Sequence, residues 1–446
     1  MFPHSRRNRL AALASAGAVI ALTAACSSGG STAGNSSGPT AAETPSGTIK
    51  VVTWRTDLIQ DGTFDKYAQQ FEAKYPDVKV TFEGHTDYEG EVKTLMNTDD
   101  YGDVLGIINS ITPAQLPDFF EPLGKQADLE QKYQFISSKS YDGTTYGIPV
   151  VVNAQGIVYN KTVWQKAGLT DLPKTPDELV QDLQKISSTQ PDTVPLYTNY
   201  KDGWPLTQWE GNVGSVTGDP DAVNKLATMD DPWADGQEHN VIDTLLYDVV
   251  KDKLTEADPT TTNWEKSKDL IATGKIGTMV LGSWAIIQMQ QAADKDGTGA
   301  DTIGYMPFPV QVDGKWNSVV GPDYNQGINI HSKHKAAARA WIDWFNNESG
   351  YADAQGGLSP VKGSPNPSTL KDFTALGVQY LELKPAEPGK ESLVNDIDKQ
   401  AEIGLYAPDY RKRIVDAARG ASKESLQQIF DDLNSKWKDA RASVGD

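Results

Sequence analysis

Residues 146–169 read YGIPVVVNAQGIVYNKTVWQKAGL, and this stretch decides the fold. Residues 148–152 form a short apolar, β-branched run, and a second apolar run ends at Tyr159. Both have the composition of strands. Residues 161–167 then have helical spacing, and Gly168 closes that helix. A strand pair leading straight into a capped helix predicts an α/β architecture.

Upstream, the periods alternate. Residues 48–54 (TIKVVTW) predict a strand. Residues 62–75 place Phe64, Tyr67, Ala68, Phe71 and Tyr75 on one helical stripe, and Pro76 stops the helix. Residues 78–82 predict a strand, 89–96 a helix and 103–108 a strand. This order describes an open, mostly parallel sheet flanked by helices. Ligands of such sheets bind beyond the carboxyl ends of the strands, which places Trp54, Asp57 and Asn109 as candidates. Trp54 as a core cap and Asp57 as a helix N-cap are the alternatives. Asp103, at the start of its strand, reads as structural.

Downstream, Thr175-Pro176-Asp177-Glu178 reads as a capping box with proline at the first helical position. Residues 196–209 (LYTNYKDGWPLTQW) are punctuated by Gly and Pro and predict a loop bearing Trp204 and Trp209 as candidate contacts. Residues 274–285 (GKIGTMVLGSWA) predict a strand running directly into Gly282-Ser283-Trp284. Residues 318–330 (SVVGPDYNQGINI) predict a strand that carries Asp323, Tyr324 and Asn325. Residues 335–346 and 424–437 predict amphipathic helices, and residues 357–365 a further crossing.

Composition narrows the function. The 446-residue chain exceeds one small core. A formal net charge of −19 disfavours nucleic-acid binding, which needs basic surface against phosphate. The only cysteine is Cys26, so no disulfide forms within one chain. His331 and His334 read as a solvated helix start, and no zinc spacing, P-loop or nucleophile elbow stands where it would carry chemistry. Sixty carboxylates leave a glycosidase pair open. Arg6, Arg7 and Arg9, the apolar run 10–22 and small residues before Cys26 predict a cleaved leader, residues 1–25. The Ser-, Gly- and Thr-rich residues 26–47 predict a flexible tether.

The "IPV…YNK…GL" arrangement of residues 148–169, joined to the strand that ends in Gly-Ser-Trp, resembles the bacterial extracellular solute-binding proteins of ATP-driven sugar importers, of the maltose-binding-protein-like kind. The resemblance spans nearly the whole chain from Thr48. It implies a two-lobed periplasmic-binding-protein-like fold with a multi-strand hinge. Residues 48–150 and 313–366 would form the first lobe, and residues 151–312 and 367–446 the second. It implies a binding protein rather than an enzyme, without a cofactor or metal. A carbohydrate would be captured in the interlobe cleft and delivered to membrane permease subunits. In the family, the tryptophan matching Trp284 lies flat on a sugar ring, and the position of Asn153 bears a polar sugar contact. The edge of the late helix, residues 403–420, faces the cleft and makes Tyr406 a candidate. Cys26 resembles the lipidated cysteine of the bacterial lipobox, with Thr23 where the family prefers leucine. That implies a protein anchored by lipid to the outer face of the membrane, and a monomer is expected. Trp54, Trp204, Trp209, Trp264 and Trp284 exceed the stacking needs of one ring, so an oligosaccharide is expected. An amino acid, peptide or polyamine is the alternative ligand, with Arg55 and Asp57 as half of a charged clamp, and a secreted carbohydrate-active enzyme the alternative class.

Overall fold

Two mixed β-sheets, each covered by helices, organise the chain in a computed structural model that describes residues 44–445. The expected leader and Cys26 lie outside the described residues. Of the expected tether, residues 44–47 are described, and Gly47 already belongs to the first strand.

The first sheet has the order Val78–Gly84, Gly47–Thr53, Val104–Gly106, Asn325–Ile328, Ile148–Pro149. Its first three strands are parallel, with Val51 opposite both Phe82 and Val104. The last two pair antiparallel. Helix Thr63–Lys74 buries Phe64, Tyr67, Ala68 and Phe71, the stripe expected from its spacing. They pack with Trp341, Trp344 and Phe345 of helix Lys335–Asn347 into one core. Asp103 is structural: its carboxylate accepts the Lys50 amide at 2.8 Å and the Ser332 hydroxyl at 2.5 Å.

The second sheet is built on the nine-residue strand Val152–Asn160, the continuation of the 146–169 stretch. It pairs antiparallel with Ile276–Gly282, Ile303–Met306 and Lys315–Pro322. The sheets are therefore mixed where mostly parallel sheets were expected. The reason is topological: a strand that enters from the other body runs against the strands it joins. Parallel pairs remain at the margins, between Ile276–Gly282 and Val194–Leu196 and between Lys315–Pro322 and Gln379–Glu382. The third crossing is a single antiparallel bridge, in which Val152 and Leu358 exchange two 2.8 Å backbone hydrogen bonds.

Helix ends follow their local signals. Thr175 caps helix Pro176–Thr189 by accepting the Glu178 amide at 3.2 Å. The reciprocal half of the expected box is displaced by one residue: the Glu178 carboxylate accepts the Lys174 amide instead. The loop expected at residues 196–209 contains a short helix, Trp204–Thr207. Beneath it lies a buried charge cluster. Arg411 donates to Glu210 at 2.8 Å and to Asp243 at 3.0 Å, and His239 lies 3.0 Å from the other Glu210 oxygen. Burial opposes the Glu210 charge, but His239 and Arg411 outweigh it and hold the carboxyl down to about 2.

Candidate functional site

Trp54, where the first strand ends, and Trp284, where the strand Ile276–Gly282 ends, face one cavity of about 250 Å³. Arg55, Val151, Asn153, Gln288, Asp323 and Gln355 complete its lining. Each tryptophan owes its position to a glycine. A Cβ on Gly106 would stand 2.7 Å from the Trp54 ring, and one on Gly282 would stand 2.7 Å from the Trp284 ring. Without those side chains, each indole lies down against a strand.

The Trp54 ring is packed by Tyr324, 4.4 Å away at 46°, and by Tyr88, 5.6 Å away and edge-on. The Tyr88 hydroxyl donates to Gly106 O at 3.0 Å and the Tyr324 hydroxyl to Glu89 at 2.8 Å. Glu89 also accepts both the backbone and side-chain N–H of Asn109. Trp284 is held from the other side by Trp204 and Trp264, at 5.6 and 5.5 Å, which meet each other edge-on. Its indole N–H donates to Gln208 at 3.4 Å.

The floor comes from the crossing strands. Asn153, opposite Gly321, is buried, and its Oδ1 accepts a 3.4 Å hydrogen bond from Ser283. Ser283 in turn accepts the Ala154 amide and donates its own amide to Ala154 O, which staples the Gly-Ser-Trp turn to the hinge. Asp323 donates its backbone N–H to Val151 O at 2.9 Å. Burial pushes its carboxyl up to about 6, against the pull of Arg55 and the Trp54 indole N–H. Arg55 grips Asp57 with two hydrogen bonds, of 2.9 and 2.6 Å, and reaches Gln355 and Tyr351 with Nη1.

Of the residues singled out by sequence, the cavity brings together Trp54, Asn153, Trp284 and Asp323. Tyr324, Trp204 and Asn109 stand behind or beside it, through the contacts above. Asp57 is not on the lining; its carboxylate is occupied by Arg55, so its part is to orient that cation. Trp209 is 2 % exposed and packs edge-on to Phe308 in the second core, which makes it a core residue rather than a contact. Tyr406 is 59 % exposed, just before helix Pro408–Ala418. Sequence reasoning passed over Gln288 and Gln355 and used Arg55 only as part of a clamp. Gln288 was readable, four residues after Trp284 on the same helix face. Gln355 carries no local signal.

Two apolar ring faces with carboxamides, a carboxylate and a guanidinium between them can stack on an apolar face while exchanging hydrogen bonds with hydroxyl groups. No metal-ligating group of His, Cys, Asp or Glu occurs among the described residues. The model of the family described as bacterial extracellular solute-binding protein matches residues 56–352. The chain belongs to that family.

This solute-binding protein is 33 % identical to BlMnBP1, a binding protein of an ABC transporter from Bifidobacterium animalis subsp. lactis solved in complex with mannobiose. That likeness has a TM-score of 0.83 and covers 89 % of this chain and 95 % of the other. BlMnBP2 of the same organism, manno-oligosaccharide specific and solved with mannotriose, is 32 % identical with a TM-score of 0.83, over 90 % of this chain and 95 % of the other. Among curated proteins, the diacetylchitobiose binding protein DasA of Streptomyces coelicolor is 26 % identical over 82 % of this chain and 83 % of its own. The family consists of binding proteins rather than enzymes. Among the described residues, no helix is long and apolar enough to cross a membrane.

Proposed function

We propose that this solute-binding protein captures a manno-oligosaccharide between Trp54 and Trp284 and delivers it to the permease of an ABC-type importer. The observation that carries the reading is the pair of indoles converging on one cavity over a hydrogen-bonding floor of Asn153 and Asp323. Support for mannose as the unit comes from the two Bifidobacterium neighbours, which exceed 30 % identity and were solved with manno-oligosaccharides. Trp54, Asn153, Trp284 and Asp323 are the contacts, joined by Arg55, Gln288 and Gln355. Trp204, Tyr324 and Asn109 back them, and Tyr406, exposed before helix Pro408–Ala418, is the remaining proposed contact.

In this reading the lobes divide as residues 48–150 with 313–366 and residues 151–312 with 367–446. The sugar bridges them, and the population shifts toward the closed form. The protein acts as a monomer. A lipid on Cys26 and the tether to residue 47 hold it at the outer face of the membrane, where the permease finds a high local concentration. Cys26→Ser should release it into the medium of producing cells; retention in the membrane fraction would remove the anchor.

The function is tested by thermal-shift screening against manno-, malto- and chito-oligosaccharides, amino acids and polyamines. A bound ligand raises the melting temperature by mass action. Stabilisation by manno-oligosaccharides is expected; stabilisation by amino acids or polyamines alone would overturn the sugar reading. Prolonged incubation of the protein with the stabilising sugar should leave that sugar intact, and released products would make the protein an enzyme.

A further inference from the structure

Gln155 Oε1, on the strand Val152–Asn160, is sealed from solvent, and no donor among the described residues bonds it. The residue stands opposite Gly282 in the antiparallel ladder, and two glycines make room for its side chain. A Cβ on Gly211 would stand 2.9 Å from that oxygen, and one on Gly282 would stand 3.5 Å from it. The Gln155 backbone carbonyl accepts the Ser318 hydroxyl at 2.7 Å, which ties the residue to the strand Lys315–Pro322.

Trp284 has the complementary shortage. Its indole N–H donates to Gln208 Oε1 at 3.4 Å, longer than the roughly 3.0 Å of a well-formed N–H···O bond. The same Cβ position on Gly282 lies 2.7 Å from the indole Nε1. The indole nitrogen and the Gln155 oxygen therefore border one space, the side-chain space that Gly282 leaves free. A loosely held donor beside a buried acceptor with none lowers stability, and a small turn of the ring removes both faults. The two acceptors also differ in their support. Gln208 follows the short helix Trp204–Thr207. Gln155 sits in the middle of a nine-residue strand, two residues beyond Asn153 and on the same face.

We propose that Gln155 is the positioning residue for Trp284: when a sugar binds, the indole N–H leaves Gln208 for Gln155 Oε1, and the ring plane is then fixed by the strand that carries Asn153. This assignment rests on the manno-oligosaccharide reading above, in which Trp284 stacks on the ligand. Gln155 does not touch the sugar and is absent from the cavity lining. It acts through the indole. Gln208 holds the ring in the ligand-free protein, so the two glutamines compete for one N–H and have opposite effects on affinity.

The test is calorimetric titration of mannobiose into the wild type, Gln155→Leu, Gln208→Leu, Trp284→Phe and the double variant Gln155→Leu/Trp284→Phe. Gln155→Leu removes a buried acceptor without a donor, so the ligand-free variant should melt at or above the wild-type temperature. It should bind mannobiose about 10-fold more weakly, the scale of one hydrogen bond. Gln208→Leu frees the indole from its ligand-free seat and should bind as tightly as the wild type or more tightly. Phenylalanine at position 284 keeps an aromatic face and lacks the N–H, so in that background Gln155→Leu should change affinity by less than about two-fold. Loss of affinity in Gln208→Leu with none in Gln155→Leu would leave the indole on Gln208 and overturn the proposal. Equal losses from Gln155→Leu in both backgrounds would show that Gln155 does not act through the indole, and would overturn it too. If one leucine variant fails to fold, or Trp284→Phe binds too weakly to titrate, the sign of the effect in the remaining leucine variant still decides. Failure of mannobiose to bind the wild type would defeat the manno-oligosaccharide reading instead, a result distinguishable from the others.

Discussion

Asp323 illustrates how a site residue can work against the fold that carries it. Its carboxyl is raised from 3.8 to about 6 in the folded chain. Between those values the folded state binds more protons than the unfolded one, so stability falls as pH rises through that window, and the cost persists at neutral pH. Asp323→Asn should therefore stabilise the ligand-free protein at pH 7 by about 1–2 kcal/mol, after discounting for partial exposure, and by much less at pH 4. The same substitution should weaken sugar binding at pH 7, and wild-type affinity should itself decline as pH falls below about 6. Melting curves and titrations at the two pH values check both signs; a destabilised variant with unchanged affinity would return Asp323 to a structural part. Gly282 makes a second residue-level case. A methyl group there would meet the Trp284 ring at 2.7 Å, while the backbone has an ordinary conformation. Gly282→Ala should leave the fold intact, shift the tryptophan fluorescence and lower affinity by about 1–2 kcal/mol. An unmoved spectrum with full affinity would mean that the indole does not need that surface.

At the scale of elements, the strand Val152–Asn160 explains what was legible in the chain. Its apolar run and the helix after it were readable because strand and helix periods change within a few residues. Trp54, Asn153, Trp284 and Asp323 were placed because each follows or interrupts a strand, and strand ends converge. Trp209 was misplaced because an indole in a Gly- and Pro-rich loop looks the same whether it faces a cleft or a core; only the packing of Phe308 against it decides. Arg55 and Gln355 meet across 300 residues of sequence, a partnership no local pattern carries. The mixed pairing of the sheets was equally hidden, since direction depends on where the crossing strand enters. The Arg411 cluster beneath Trp204–Thr207 gives a prediction at this scale. Removing one partner of a buried pair leaves charges without compensation. Arg411→Met should cost about 3–5 kcal/mol in urea unfolding, because Glu210 and Asp243 lose their shared cation. A loss below about 1 kcal/mol would show that His239 alone satisfies the cluster. In the wild type the depressed Glu210 carboxyl contributes stability above its ordinary value of 4.5, lost as pH falls toward 2.

At the scale of the molecule, three crossings meet at Val152, Asn153 and the end of strand Lys315–Pro322 with Asp323 after it. In the proposed reading the floor of the cavity is also the hinge, so a ligand that bonds Asn153 and Asp323 would touch the part that moves, with Trp54 and Trp284 on its two sides. The central claim is that one sugar is held by both indoles at once. Calorimetric titration of mannobiose into the wild type, Trp54→Ala and Trp284→Ala tests it most directly. Each variant should lose about 1–3 kcal/mol of binding free energy while keeping a cooperative melting transition. Wild-type affinity in both variants would contradict the account.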